Sequence, residues 1–251
     1  MDPPRAMTGA IRGTIVALGG GGFSMSETGE SAVDDWLLDL AGRRAAAAHP
    51  HRPAPPRVCF VPTASGDSRD YSERFESAFA GRAQTHVLSL FGQSPWAYAD
   101  PSMLLSMDLV YVGGGSTVNL LALWRRHGVD RTMREAAAQG TVLAGISAGA
   151  NCWFEGSSTD SFGPLAPLHD GLGFVPGSAC PHFHSEEGRA ESFRDWMRTG
   201  ALPSPGLAID DGAAAVIEDG TVTSVIAEAA GAHASLITGE TETTLPTTSL
   251  T

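Results

Sequence analysis

Basic side chains are in short supply. Sixteen Lys and Arg stand against 28 Asp and Glu, a formal net charge of −12 with no sustained basic run. That argues against nucleic acid or anionic membrane as the main partner, because both are bound through a positive footprint. Cysteine is scarcer still. The three residues Cys59, Cys152 and Cys180 are odd in number and far apart, so neither a disulfide framework nor a C-x-x-C metal pair is expected, and a reducing compartment fits. No apolar run approaches the ~18 residues of a membrane span, and the N-terminus lacks a charged-then-apolar signal pattern. The expected location is cytoplasmic. No internal repeat stands out. What is present is a 42% hydrophobic fraction against 18% charged residues, enough apolar material for a sizeable core. A length of 251 residues allows one or two domains, and one α/β domain of this size is ordinary.

Short apolar runs alternate with helical periodicities. Thr14–Leu18, Val58–Val61, Gln84–Leu90, Met107–Val112 and Val142–Ile146 read as strands. Helices are expected from Ser31 to about Ala48, along Tyr71–Phe79, from Asp100-Pro101, after Thr117 as far as Gly128, and over Asp130–Gln139. Strands recurring at roughly 25 to 35 residues have the spacing of right-handed parallel crossovers. The fold class is therefore α/β, a mostly parallel central sheet with helices on both faces. Pro50–Pro56 stops the first helix, and Phe91–Asp100 reads as a loop. After residue 155 the pattern changes. Gly156–Pro181 is rich in Gly, Ser and Pro with a short strand near Leu172–Val175, and Glu186–Thr199 is helical. Ala213–Glu218, an Asp219-Gly220 turn and Thr221–Ala227 form a C-terminal β-hairpin. Residues 1–12 read as a loose lead-in, 13–239 as a single α/β domain, and 240–251, Thr-rich and without a period, as a disordered tail.

In an open α/β sheet, functional groups gather beyond the carboxyl ends of the strands. Gly19–Gly22, Thr63–Asp67, Gly113–Thr117 and Ser147 all fall at such ends, so four loops should converge on one crevice. The first is glycine-rich but lacks a full G-x-G-x-x-G, since Met25 stands at the sixth position from Gly20. Dinucleotide binding is therefore disfavoured and no cofactor is expected. The last lies in Gly145-Ile146-Ser147-Ala148-Gly149, which matches G-x-S-x-G between a strand and a helix-compatible segment. Small neighbours let the chain turn sharply and expose the hydroxyl, and the N–H groups that follow point towards negative charge. A turn needing small residues only for packing would look the same, so the weight falls on possible partners.

A serine hydroxyl attacks only when a base takes its proton. Of eight histidines, His49, His51 and His127 lie away from strand ends, His86 falls within a strand and His233 has no assigned element. The candidates are His169, His182 and His184. The last two share Cys180-Pro-His-Phe-His184, and an extended chain points both the same way, so spacing leaves the pair open. A third group must orient the base. Glu155 lies eight residues past Ser147, about 12 Å along a continuing helix. Asp160 in the loop Ser158–Phe162 is therefore preferred, with Glu155 retained if the helix ends early and Asp170 as third choice. Oxyanion donors would come from the N–H groups of Ala148 and of the Gly113–Gly115 loop, Gly115 in particular.

Val110-Tyr-Val-Gly-Gly-Gly-Ser-Thr-Val-Asn119, Gly145-Ile-Ser-Ala-Gly-Ala-Asn151, Thr159-Asp160 and Pro181-His-Phe183 together resemble the peptidase E and cyanophycinase family of serine peptidases, with weaker likeness from about Ile15 to Ala215. The resemblance implies a three-layer α/β/α fold related to class I glutamine amidotransferases and flavodoxin-like in outline. It implies Ser147 as nucleophile, His182 (the histidine directly after Pro) as base, and Asp160 as acid, with Glu155 still open because family members differ there. Peptidase E is an aspartyl dipeptidase. Its glycine loop usually continues Asn-Thr, where this chain has Ser116-Thr117, and an arginine matching Arg189 helps hold the substrate carboxylate. Ser116, Thr117 and Arg189 are thus the expected substrate-binding residues, with aspartyl specificity in question because of Ser116. The expected activity is hydrolysis of small peptides, including dipeptides with N-terminal Asp, through an acyl-enzyme. The expected partners are a small peptide and a second copy in a homodimer, with no metal. Two rivals stand beside it. An α/β-hydrolase esterase has the same Ser–Asp–His order but places Asp and His far downstream, whereas 35 residues separate Ser147 from His182. A catalytically silent ligand-binding protein would keep the crevice without turnover.

Overall fold

The computed structural model describes residues 9–51, 55–92 and 98–250. Parts of the expected lead-in (1–8), helix stop (52–54) and loop (93–97) lie outside the described residues. Along the chain run β1 (Thr14–Leu18), α1 (Gly22–Met25), α2 (Ala32–Ala48), β2 (Arg57–Val61), α3 (Arg69–Phe79), β3 (Gln84–Val87) and β4 (Leu109–Val112). Next come α4 (Thr117–His127), α5 (Val129–Ala138), β5 (Val142–Ile146) and α6 (Ala148–Asn151). Strands β3-β2-β4-β5-β1 pair in that order, all parallel. Their unbroken apolar runs follow from burial on both faces. Alternate residues feed two cores: Ile15, Ala17, Val110 and Val112 pack on one side, Val16, Leu18, Leu109 and Tyr111 on the other. Leu121 and Trp124 of α4 and Met133 of α5 cover the first face. Leu37 of α2 and Phe75 and Phe79 of α3 cover the second, where Phe60 stacks on Phe75 with ring centroids 5.0 Å apart. Each such fully buried side chain contributes ~1.5–3 kcal/mol. The three-layer α/β/α arrangement is thereby realised.

The chain continues through β6 (Phe154–Thr159), β7 (Ala166–Leu168), β8 (Val175–Cys180), α7 (Arg189–Thr199), β9 (Gly206–Ile209), β10 (Ala213–Glu218) and β11 (Thr221–Ala227). It closes with β12 (Ala234–Thr238), β13 (Thr241–Thr244) and β14 (Thr247–Ser249). The C-terminal hairpin β10–β11 forms as expected. Asp219 and Gly220 take the positive φ values of 50° and 80° that a tight two-residue turn demands. Strand β10 runs antiparallel beside β1, extending the main sheet. Two features depart from the reading of the sequence. The stretch after residue 155 is not mainly loop: β13-β12-β9-β8-β6-β7 form a second sheet whose inner residues join the α4/α5 core. Nor do residues 240–250 form a loose tail, because β13 pairs with β12 and β14 with β11. β-Branched threonines suit a pleated edge, and Leu245 and Leu250 anchor the segment, each packing on a core and donating its N–H to Ala234 and Ala227 respectively, both at 2.8 Å.

Candidate active site

Ser147 terminates β5 with φ 56° and ψ −114°, a conformation costly for any L-residue, and α6 begins at the next residue. Both flanking glycines are sterically required. A Cβ on Gly145 would sit 2.2 Å from Gly149 O, and one on Gly149 would sit 2.4 Å from Val112 O. The elbow is tied to the neighbouring strand by Ser147 N–H donating to Leu18 O at 3.3 Å.

The expected convergence of loops is present. Ser116 N–H donates to Ala64 O at 2.8 Å, and a Cβ on Gly115 (φ 136°) would lie 2.2 Å from the same oxygen. Trp124 Nε1 donates to Thr63 Oγ1 at 3.1 Å, locking the 63–66 turn against α4. Gly114 faces the elbow: its Cβ position is 3.4 Å from Ser147 Cβ and 3.8 Å from Oγ. Gly114 N–H donates to the Tyr71 hydroxyl at 3.3 Å. The N–H groups of Gly115 and Ala148 make no hydrogen bond among the described residues, which leaves both free to meet an oxyanion. The Gly19–Gly22 loop, by contrast, is filled by the protein itself. Gly22 N–H donates to Glu228 Oε1 (2.9 Å) and Phe23 N–H to Asp34 Oδ2 (2.6 Å).

His182 directly follows Pro181 at the end of β8 and also has positive φ, 56°. It is positioned by Phe183, which is buried against Phe193 and Met197 and donates its N–H to Ile209 O at 3.2 Å. His182 Nδ1 lies 2.6 Å from Asp211 Oδ1. The hydrogen bond to His182 holds the Asp211 carboxyl below the usual range against the opposing effect of burial. The carboxylate hydrogen-bonded to His182 is therefore Asp211, and not the expected Asp160, nor Glu155 or Asp170. Asp160 is exposed, with Arg189 Nη2 at 3.9 Å. The helix does end early, at Asn151, but that places Glu155 on β6, where its Oε2 accepts Gly177 N–H at 2.8 Å. Asp170 pairs with Arg125 at 2.6 Å. His184 makes a parallel pair with Asp210, Nδ1 to Oδ1 at 2.7 Å. Asp211 reaches the site through topology. Ser147 follows β5, Gly20 follows β1, and Asp211 precedes antiparallel β10, so the three stand along one sheet edge, with Ser147 and Asp211 about 10 Å apart. The available signal was Asp210-Asp211-Gly212 immediately before a strand of opposite direction.

The expected substrate-binding residues are placed as follows. The Ser116 hydroxyl caps α4 by accepting Asn119 N–H at 3.3 Å, and Thr117 is buried. Arg189 is 4% exposed. Its Nε and Nη2 both donate to Glu186 Oε2 and its Nη1 to Ser158 Oγ (3.3 Å), so its fork already holds a carboxylate from its own loop. Burial pushes the Cys180 thiol, two residues from His182, up to about 12, so it stays protonated at neutral pH.

An α/β sheet with a strained serine elbow, a glycine loop and an adjoining His–Asp pair defines a hydrolase architecture. Residues 15–225 match peptidase family S51, and the chain belongs to that family and is a peptidase. It is 43% identical over 222 residues to the uncharacterized peptidase YgaJ of Bacillus subtilis, covering 88% of this chain and 90% of that one. Peptidase E of Streptomyces coelicolor is 31% identical over 166 residues, covering 62% and 66%. Among solved structures, a peptidase from an acI-B1 Actinobacterium superposes with a TM-score of 0.70 over 96% of both chains. At 19% identity that likeness concerns the fold. No helix of the described residues is long and apolar enough to cross a membrane.

Proposed function

We propose that this peptidase is a serine enzyme that cleaves small peptides through an acyl-enzyme on Ser147. The observation that carries the reading is the strained Ser147 elbow at the same sheet edge as Asp211, the carboxylate hydrogen-bonded to His182. With Nδ1 engaged by Asp211, His182 keeps Nε2 for the serine proton, and Asp211 fixes the tautomer and stabilises the imidazolium. Ser147 Oγ attacks the scissile carbonyl. The N–H groups of Ala148 and Gly115 receive the oxyanion, and His182 returns the proton to the leaving amine. Water then repeats the sequence on the ester. Preference for an N-terminal Asp would run through Arg189, which must exchange Glu186 for the substrate carboxylate. A fluorophosphonate probe tests the nucleophile. Wild type should label and release product from a dipeptide library, and Ser147→Ala should do neither. Equal labelling of the variant would remove Ser147 from the mechanism.

A further inference from the structure

Outside the site described, one cluster among the described residues gathers metal-ligating atoms. His184 comes from the loop after β8, Asp210 from the turn between β9 and β10, and His233 from the residue before β12. His184 Nδ1 lies 2.7 Å from Asp210 Oδ1, and His233 Nδ1 lies 3.0 Å from Asp210 Oδ2. One ligand atom from each residue falls within 4.8 Å of the others. We propose that His184, Asp210 and His233 form a binding site for a divalent transition-metal ion of the zinc class.

The donor set carries the choice of ion. Two imidazole nitrogens and one carboxylate oxygen suit zinc and its neighbours, not magnesium or calcium, which require mainly oxygen ligands. Bond lengths of about 2.0–2.1 Å place tetrahedral ligands about 3.3 Å apart, so the 2.7 and 3.0 Å spacings to the two Asp210 oxygens must open by about 0.6 and 0.3 Å and the carboxylate must turn one oxygen to the ion. Each neutral imidazole would offer its Nδ1 lone pair, with its ring proton on Nε2, so His233 would exchange the present hydrogen bond of Nδ1 to Gly231 O (3.1 Å) for the ion. Water would complete the shell, since His184 is 45% and His233 31% exposed at the side chain.

The site is also built. Asp210 N–H donates to His233 O at 3.0 Å and His233 N–H to Asp210 Oδ2 at 3.2 Å, prolonging the β9–β12 ladder by one pair. The His184 ring packs edge-on against buried Phe183, centroids 4.5 Å apart. Nearby, Glu242 is held by Arg194 at 2.7 Å and lies in the field of both histidines, which offsets that cation. An ion here would clamp together the two segments that carry His182 and Asp211, two and one residues from its ligands respectively.

Isothermal titration of the metal-stripped full chain with Zn²⁺ alone should give one site per chain at micromolar concentration. His184→Ala and His233→Ala should each weaken it at least about tenfold, while His182→Ala leaves it unchanged. Zn²⁺ should raise the thermal midpoint of wild type by a few degrees and leave the His184→Ala/His233→Ala double variant unmoved. Absence of a one-to-one site below ~100 μM, unchanged binding in both alanine variants, or loss of binding in His182→Ala would overturn the assignment. The last result would put the ion on the catalytic pair instead.

Discussion

Gly20 lies directly against Asp211: a Cβ on Gly20 would fall 2.2 Å from Asp211 Oδ1, the oxygen that holds His182. The backbone of the two segments is coupled as well, since Gly212 N–H donates to Gly20 O at 2.9 Å. The glycine loop after β1 thus serves as a floor for the acid. Unlike Gly21 and Gly22, Gly20 is not in the positive-φ region, so alanine is tolerated by the backbone and opposed first by the carboxylate, with the flexible Met25 Sδ next at 2.9 Å. Gly20→Ala should lower kcat by about 10- to 100-fold through displacement of Asp211, with little change in KM. Steady-state kinetics beside a thermal melt would check this. A melt lowered by tens of degrees, or unaltered kcat, would refute the floor.

Asp211 and Asp160 make opposite predictions. Replacing Asp211 by Asn should cost about 10²–10⁴ in kcat, because an amide can hold the imidazole in the wrong tautomer and cannot stabilise its cation. Asp160 is 63% exposed at the side chain and has Arg189 as its charged neighbour, so Asp160→Asn should stay within a few-fold of wild type. Reversal of that order in parallel kinetics would return the role to Asp160.

The contrast between these two residues marks where the sequence was legible. Parallel strands could be read because burial on both faces leaves continuous apolar runs such as Val142–Ile146. The elbow could be read because Gly145 and Gly149 admit no side chain. His182 was separable from His184 only through the family resemblance, since each has its own aspartate, 211 and 210. Asp211 was hidden because its approach depends on β10 lying antiparallel to β1, a pairing across some 200 residues that no local pattern encodes. Asp160 was preferred among acids that lie between Ser147 and His182 in the chain, and nearness in the chain was the wrong measure. The partnership of Arg189 with Glu186 was hidden for a different reason: a helix-start arginine looks solvated until tertiary packing buries it.

That partnership yields a test of specificity. Glu186 is roughly half exposed while Arg189 is buried, so a substrate carboxylate competes with Glu186 for the fork. Glu186→Gln removes the competing charge and keeps the shape. Its kcat/KM for dipeptides with N-terminal Asp should rise about five- to tenfold relative to those with N-terminal Ala. If both substrates lose activity in parallel, Arg189 and Glu186 act only as a structural pair.

A second buried carboxylate governs stability. Asp34 is 1% exposed at the start of α2. Its Oδ2 accepts Phe23 N–H, while its Oδ1 and the neighbouring Tyr111 hydroxyl make no well-formed hydrogen bond among the described residues. Burial, reinforced by the charge of Glu228, pushes Asp34 up to about 7 against the pull of the Phe23 N–H and, more weakly, of the Tyr111 hydroxyl. The folded protein therefore keeps a proton here that the unfolded chain releases near pH 4. Stability from this group is full below that pH, falls as pH rises by about 1.4 kcal/mol per unit, and is exhausted above about 7. Asp34→Asn should retain the Phe23 contact, offer Tyr111 an N–H donor, and abolish this slope. Urea denaturation at pH 5 and pH 8 would measure it through the difference between the two proteins, which cancels the other titrating groups. Wild type should lose more stability than Asp34→Asn between the two values, and equal losses would show that Asp34 is already ionised in the fold.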